Sequence, residues 1–252
     1  MKFFNRATFE NIPQKIKIAP AGFRIGFLSD VFQEDLYHKL LTAYPPFSLF
    51  THVEDEFKNV FEGPYFDAKE HRGCKDHLSH LPSVWHELLL EANSQEFTSL
   101  FSNAASVPFN GVRNFSFKWG KEGNHIKPHL DQAAKSKNSA RSRIVCMFYF
   151  GEQKGKNPGG TCIYAKDRET PILEADMLYN SMLFFEQHPD AWHGYKSLVG
   201  SEERKAMAIT FFSDSHPPKI KTSMVHRLFC PAWIRSRFNK GQKSAPSATM
   251  TA

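Results

Sequence analysis

His125-Ile126-Lys127-Pro128-His129-Leu130-Asp131 is the stretch on which the reading of this chain turns. In an extended strand, residues two apart project to the same side. His129 and Asp131 therefore aim an imidazole and a carboxylate at one point. An HxD triplet alone carries little weight in a chain with 12 histidines. Its meaning depends on what the flanking sequence builds around it.

Outward from the triplet, from about Val107, short alternating or apolar runs are separated by Gly, Pro, Asn and Lys clusters. The candidate strands are Val112–Lys118, Arg143–Phe150, Gly160–Tyr164, Pro171–Glu174, Ser181–Phe185 and Ala206–Phe212. Short strands at such spacing predict a β-barrel or jelly roll. Upstream the texture is helical. Ser29 or Asp30 is placed to cap a helix ending before Pro45-Pro46, with Phe32, Leu36, Leu40 and Tyr44 on one face. A second helix is expected from about Ser83 to Asn103, using Trp85, Leu88, Leu89, Ala92, Phe97 and Leu100. The expected fold class is mainly β with flanking helices, the helices bracing one outer face of the sheet.

A second segment strengthens the triplet. The apolar strand Ser181–Phe185 leads through a polar turn into Ala191-Trp192-His193-Gly194-Tyr195. A loop then enters another strand at Arg204-Lys205-Ala206. His129, Asp131 and His193 together would make a two-histidine, one-carboxylate set, which suits Fe(II) and leaves coordination positions open. His188 lies five positions before His193 and is the weaker choice, because His193 directly precedes Gly194 and the loop to Arg204.

These motifs resemble the core of the 2-oxoglutarate-dependent Fe(II) oxygenases, in their prolyl-4-hydroxylase-like branch. The resemblance runs from about Asn114 to Asp214 through His129-Leu130-Asp131, Met147-Phe148-Tyr149, Gly159-Gly160-Thr161-Cys162-Ile163-Tyr164, Met182–Phe185, His193-Gly194 and Arg204. It implies a double-stranded β-helix, jelly-roll or cupin-like, supported by N-terminal α-helices. It also implies Fe(II), 2-oxoglutarate as cosubstrate and O₂, with His129, Asp131 and His193 as metal ligands and catalytic residues. The distal carboxylate of 2-oxoglutarate then needs a buried cation. Arg204 offers a planar two-donor fork and is favoured; Lys205 is the rival, since neighbouring strand residues face opposite ways. Tyr149 either donates its hydroxyl to the same carboxylate or packs in the core. Candidate substrate contacts are His125, Arg143, Trp119, which stands where many relatives carry Tyr, and Trp233 as a lid residue.

The implied reaction is hydroxylation of an unactivated C–H bond, with 2-oxoglutarate leaving as succinate and CO₂. Related radical halogenases carry Gly or Ala at the carboxylate position, so Asp131 favours hydroxylation; desaturation and ring closure use the same ligands. A small-molecule substrate is expected, a free amino acid or a metabolite derived from one. The alternatives are a protein or peptidyl prolyl hydroxylase and, in another class, a cupin-like metal-binding or sensor protein without turnover.

Composition narrows the remaining classes. The formal charge is +6, but no Lys/Arg run interleaved with aromatics marks a nucleic-acid face. Arg235, Arg237, Lys240 and Lys243 read as a solvated tail. Cys74, Cys146, Cys162 and Cys230 form no CxxC pair. No apolar run is long enough for a membrane span, and no leader is evident, so a cytoplasmic protein is expected. The 24 phenylalanines point to an aromatic core. Residues 1–238 read as one oxygenase domain: helical support over about 21–105, the β-helix over about 107–214 and a C-terminal cover over 215–238. Residues 239–252 read as a disordered tail. The oligomeric state is left open, a homodimer included.

Overall fold

The computed structural model describes residues 1–67, 72–73, 81–131, 142–155, 159–200 and 203–212. The downstream half forms the six expected strands and two more, at His125–His129 and Trp192–Tyr195. They are β6 (Gly111–Gly120), β7 (His125–His129), β8 (Ser142–Tyr149), β9 (Cys162–Tyr164), β10 (Pro171–Glu174), β11 (Ser181–Glu186), β12 (Trp192–Tyr195) and β13 (Arg204–Phe212). The upstream half is less helical than its sequence suggests. It supplies β1 (Ile16–Ile18), β2 (Arg24–Ser29), β3 (Thr51–Glu54), β4 (Lys58–Asp67) and β5 (Arg72–Gly73). The helices among the described residues are α1 (Arg6–Glu10), α2 (Ile12–Lys15), α3 (Glu34–Thr42), α4 (Ser83–Ala92) and α5 (Gln95–Ala105).

Two upstream expectations are corrected. Ser29 ends β2 and Asp30 turns the chain at φ 54°, so neither caps a helix; α3 starts after Gln33 with no side-chain cap. The run from Arg24 to Leu28 is short and apolar, a pattern that does not separate strand from helix. The ladder with β11 decides it, pairing Ile25 with Phe185 and Leu28 with Met182. The helix expected over Ser83–Asn103 is two helices. Ser94 interrupts it, its hydroxyl accepting from the Phe97 amide at 3.2 Å as the N-cap of α5.

The sheet runs β1-β2-β11-β8-β13-β6-β4-β7-β12-β9-β10, with β3 and β5 pairing with β4. All these pairings are antiparallel. The order curls the sheet into a jelly-roll-like double-stranded β-helix. Its two faces take alternate residues. Phe115, Phe117, Cys146, Phe148, Met182, Phe184, Met207, Ile209 and Phe211 meet the helices in the large core. Val145, Tyr149, Leu183, Phe185 and Ala206 belong to a second, inner cluster.

The phenylalanine excess is used for packing. Phe4 stacks on Phe97 at 4.0 Å between ring centres, and Phe9, Phe101 and Phe211 continue the array under the sheet. Trp85 is buried in the same layer and donates from its indole N–H to the Ala43 carbonyl at 2.6 Å. Cys146 and Cys162 are buried free thiols. Among the described residues no helix is long and apolar enough to cross a membrane. The expected cover over 215–238 and the tail over 239–252 lie outside the described residues, as does Trp233.

Candidate metal centre

Antiparallel pairing of β7 with β12 sets His129 directly opposite His193. Their ring centres are 4.3 Å apart. Gly194 permits this approach, because a Cβ there would lie 2.3 Å from the Ile126 carbonyl oxygen on β7. Asp131 follows β7 by two residues and turns its Oδ1 to within 3.6 Å of His193 Nε2. One donor atom from each of His129, Asp131 and His193 falls within 4.8 Å of the others, a group able to hold a metal ion.

Each imidazole is oriented by its own backbone. His129 Nδ1 lies 3.1 Å from the Lys127 carbonyl and His193 Nδ1 lies 3.0 Å from the Ala191 carbonyl. A carbonyl accepts only from a protonated nitrogen, so Nδ1 carries hydrogen and Nε2 of each ring is free to ligate. Burial lowers the His129 pKa to about 4, and the neighbouring His193 charge acts in the same direction. Burial would raise the Asp131 carboxyl, but the charge and hydrogen bond of His193 outweigh it and hold it at about 2. Burial opposes charge on His193 as well; Asp131 wins and raises its pKa. A neutral imidazole, a second imidazole beside an ionised carboxylate and the absence of thiolate fit a borderline-to-hard divalent ion such as Fe(II).

Arg204 opens β13 and is only 2% exposed. Its Nε donates to the Gly159 carbonyl at 2.8 Å and its Nη2 to Thr161 Oγ1 at 3.2 Å. Gly159, at φ 116°, adopts the left-handed turn that presents this carbonyl. The guanidinium lies 4.3 Å over the Tyr195 ring and 5.4 Å from that of Tyr149. Tyr149 is fully buried, and its hydroxyl oxygen accepts from the Thr161 amide at 2.9 Å. Lys205 faces the other way, with Nζ 3.0 Å from Glu152 and 3.7 Å from Glu203.

Arg204 and the three clustered donors line one cavity of about 830 Å³. Its walls carry both signs of charge. Glu62 Oε1 accepts from Lys58 and Lys118, each at 3.0 Å. Burial would raise the Glu62 pKa, but Lys118 and then Lys58 hold it at about 2. The Arg168 guanidinium, also part of the lining, stacks 3.8 Å over Trp192.

Other sequence-derived contacts are not brought here. Trp119 lies on the helix side of β6, edge-on to Tyr44 and Phe50, because its position in the strand alternates away from Ser116 and Lys118. His125 turns back to the Gly123 carbonyl, with Nδ1 at 3.2 Å, and does not line the cavity. Arg143 does not line it either; Val145 and Met147, farther along β8, do. The sequence reading missed Thr161, Tyr195 and Gln187. Thr161 and Tyr195 sat inside motifs already quoted, two residues past Gly159 and two past His193, where strand parity could have found them.

Residues 114–213 match the family model of the 2OG-Fe(II) oxygenase superfamily. The chain carries a 2OG-Fe(II) oxygenase domain. Enzymes of this family use Fe(II), 2-oxoglutarate and O₂, and the chain is a 2-oxoglutarate-dependent dioxygenase. Among solved structures the oxygenase is similar to a prolyl-4-hydroxylase from Pseudomonas putida, with TM-score 0.55, 12% identity and coverage of 83% of this chain and 98% of that one. It is also similar to a Trichoplax adhaerens prolyl hydroxylase in complex with a hypoxia inducible factor peptide fragment (TM-score 0.50, 12% identity, coverage 82% and 89%). A third is SnoN, a non-heme α-ketoglutarate-dependent epimerase from nogalamycin biosynthesis (TM-score 0.54, 10% identity, coverage 86% and 88%). At such identities the likeness is one of fold. No curated protein gives a significant sequence match.

Proposed function

We propose that this oxygenase hydroxylates an unactivated C–H bond of a small substrate, a free amino acid or a metabolite derived from one. His129, Asp131 and His193 would hold Fe(II), and Arg204 would anchor the distal carboxylate of 2-oxoglutarate. The observation that carries this reading is the sharing of one cavity by the three-donor cluster and a buried arginine. A site that only stored metal would have no use for a buried guanidinium in the same cavity.

Iron held by His129, Asp131 and His193 would, with 2-oxoglutarate and O₂, supply the oxidising power, succinate and CO₂ being the coproducts. The protein supplies position. Gly159 and Thr161 hold the Arg204 fork, and the ring of Tyr195 fixes its plane. Tyr149 uses its oxygen to accept from Thr161, which leaves its O–H to donate. Asp131 fills the carboxylate position of the metal set, consistent with transfer of oxygen and not halide to the substrate. The cavity lining supports a substrate with a carboxylate: Arg168, over Trp192, offers it a cation.

The test is a mass-spectrometric screen of free amino acids and proline-containing peptides with Fe(II) and 2-oxoglutarate. The expected result is a gain of one oxygen on a free amino acid, matched by succinate. Oxygen gain confined to a peptide would overturn the small-substrate reading. It would make the chain a peptidyl hydroxylase; the structurally similar Trichoplax adhaerens prolyl hydroxylase is bound to a peptide fragment.

A further inference from the structure

The three donors are not held alike. Each imidazole is fixed by a carbonyl two residues before it, a local contact made by its own strand. Asp131 lies past the end of β7 and takes its contact from elsewhere in the chain. Gln187 Nε2 donates to Asp131 Oδ2 at 2.6 Å, across 56 positions of sequence. Gln187 follows β11 directly, and its backbone N–H is tied to the Arg143 carbonyl at 3.0 Å. The amide therefore projects from a fixed point on the central sheet. Its orientation is chemically determined: the reverse flip would set Oε1 against a carboxylate oxygen.

Two further facts show that this contact is the reason for the residue. Gln187 lines the cavity, and its Oε1 is shielded from solvent with no hydrogen-bond partner among the described residues. A half-satisfied buried amide is costly, and an apolar side chain of similar volume would pack there without that cost. The charge-assisted bond to Asp131 offsets it. The same bond divides the carboxylate: Oδ2 is engaged by the amide, while Oδ1 is the oxygen turned toward His193.

We propose that Gln187 is a positioning residue that makes Asp131 a one-oxygen metal ligand. By occupying Oδ2 it prevents the carboxylate from chelating with both oxygens and so preserves a coordination position for cosubstrate or O₂. This rests on the reading of His129, Asp131 and His193 as the metal centre.

The experiment uses the metal-depleted full chain and Co(II), whose visible absorption reports coordination number. Wild type, Gln187→Leu, Gln187→Met and, as control, Asp131→Ala are titrated, with the melting temperature of each metal-free protein recorded. Both Gln187 variants are expected to take Co(II) at a higher coordination number, because Oδ2 is freed to ligate, and so to absorb more weakly in the visible. Their visible spectra should shift while the metal-free melting temperatures do not. Two apolar variants of different shape are included so that a folding defect in one leaves the other decisive. An unchanged spectrum in both Gln187 variants, with binding lost in Asp131→Ala, would overturn the role of Gln187 alone. Unchanged binding in Asp131→Ala would instead remove the metal-centre reading, and this proposal with it.

Discussion

Arg204 and Lys205 are neighbours of like charge with opposite fates. One lies buried against Gly159, Thr161 and Tyr195, and the other bridges Glu152 and Glu203 on the opposite face of β13. Replacing Arg204 by Ala removes the charge-assisted fork, a loss of about 1.5–3 kcal/mol. The KM for 2-oxoglutarate should therefore rise by about 10- to 100-fold, while Lys205→Ala should leave it near wild type; steady-state kinetics of both variants checks this. Glu62 gives a pH-dependent test. Its folded pKa of about 2 lies below the ordinary 4.5, so its stabilising effect is complete above about pH 4.5 and is lost as pH falls toward 2. The stability difference between wild type and Glu62→Gln, from denaturant titrations, should shrink across that window and stay flat above it. At this scale the grouping of His129, Asp131 and His193 was legible because HxD and His-Gly are short local motifs. Gln187 was not, because a lone amide after a strand carries no signal until the fold brings Asp131 beside it.

At the scale of elements, the pairing of β7 with β12 makes the site. Gly194→Ala would put a methyl group against backbone, at the Ile126 carbonyl, where nothing flexible can yield. The expected cost is about 1–3 kcal/mol. Because the strain falls between His193 and His129, metal affinity should drop along with melting temperature. Ser94→Ala removes the N-cap of α5, far from β12, and should cost about 1 kcal/mol of stability without changing metal affinity. Calorimetric melting and metal titration of the two variants separate the effects. The core strands were legible because alternation survives in β8, β11 and β13, where Ile144, Cys146 and Phe148 face one way and Val145, Met147 and Tyr149 the other. β2 was not. Its apolar run is short, and its strand state is imposed by pairing with a segment far along the chain.

At the scale of the whole molecule, one sheet separates an aromatic layer from a polar cavity. Phe97 is fully buried in that layer against Phe4, Phe9 and Phe101. Phe97→Ala should destabilise the protein by about 3–5 kcal/mol, yet the fraction that stays folded should keep its KM for 2-oxoglutarate. The central claim concerns the cavity side, and anaerobic Fe(II) titration of the metal-free protein tests it most directly. Wild type should bind one Fe(II) per chain. Binding of 2-oxoglutarate, followed by calorimetry, should require that iron, and both should be lost in His129→Ala and His193→Ala. Equal Fe(II) binding by wild type and the two variants would contradict it.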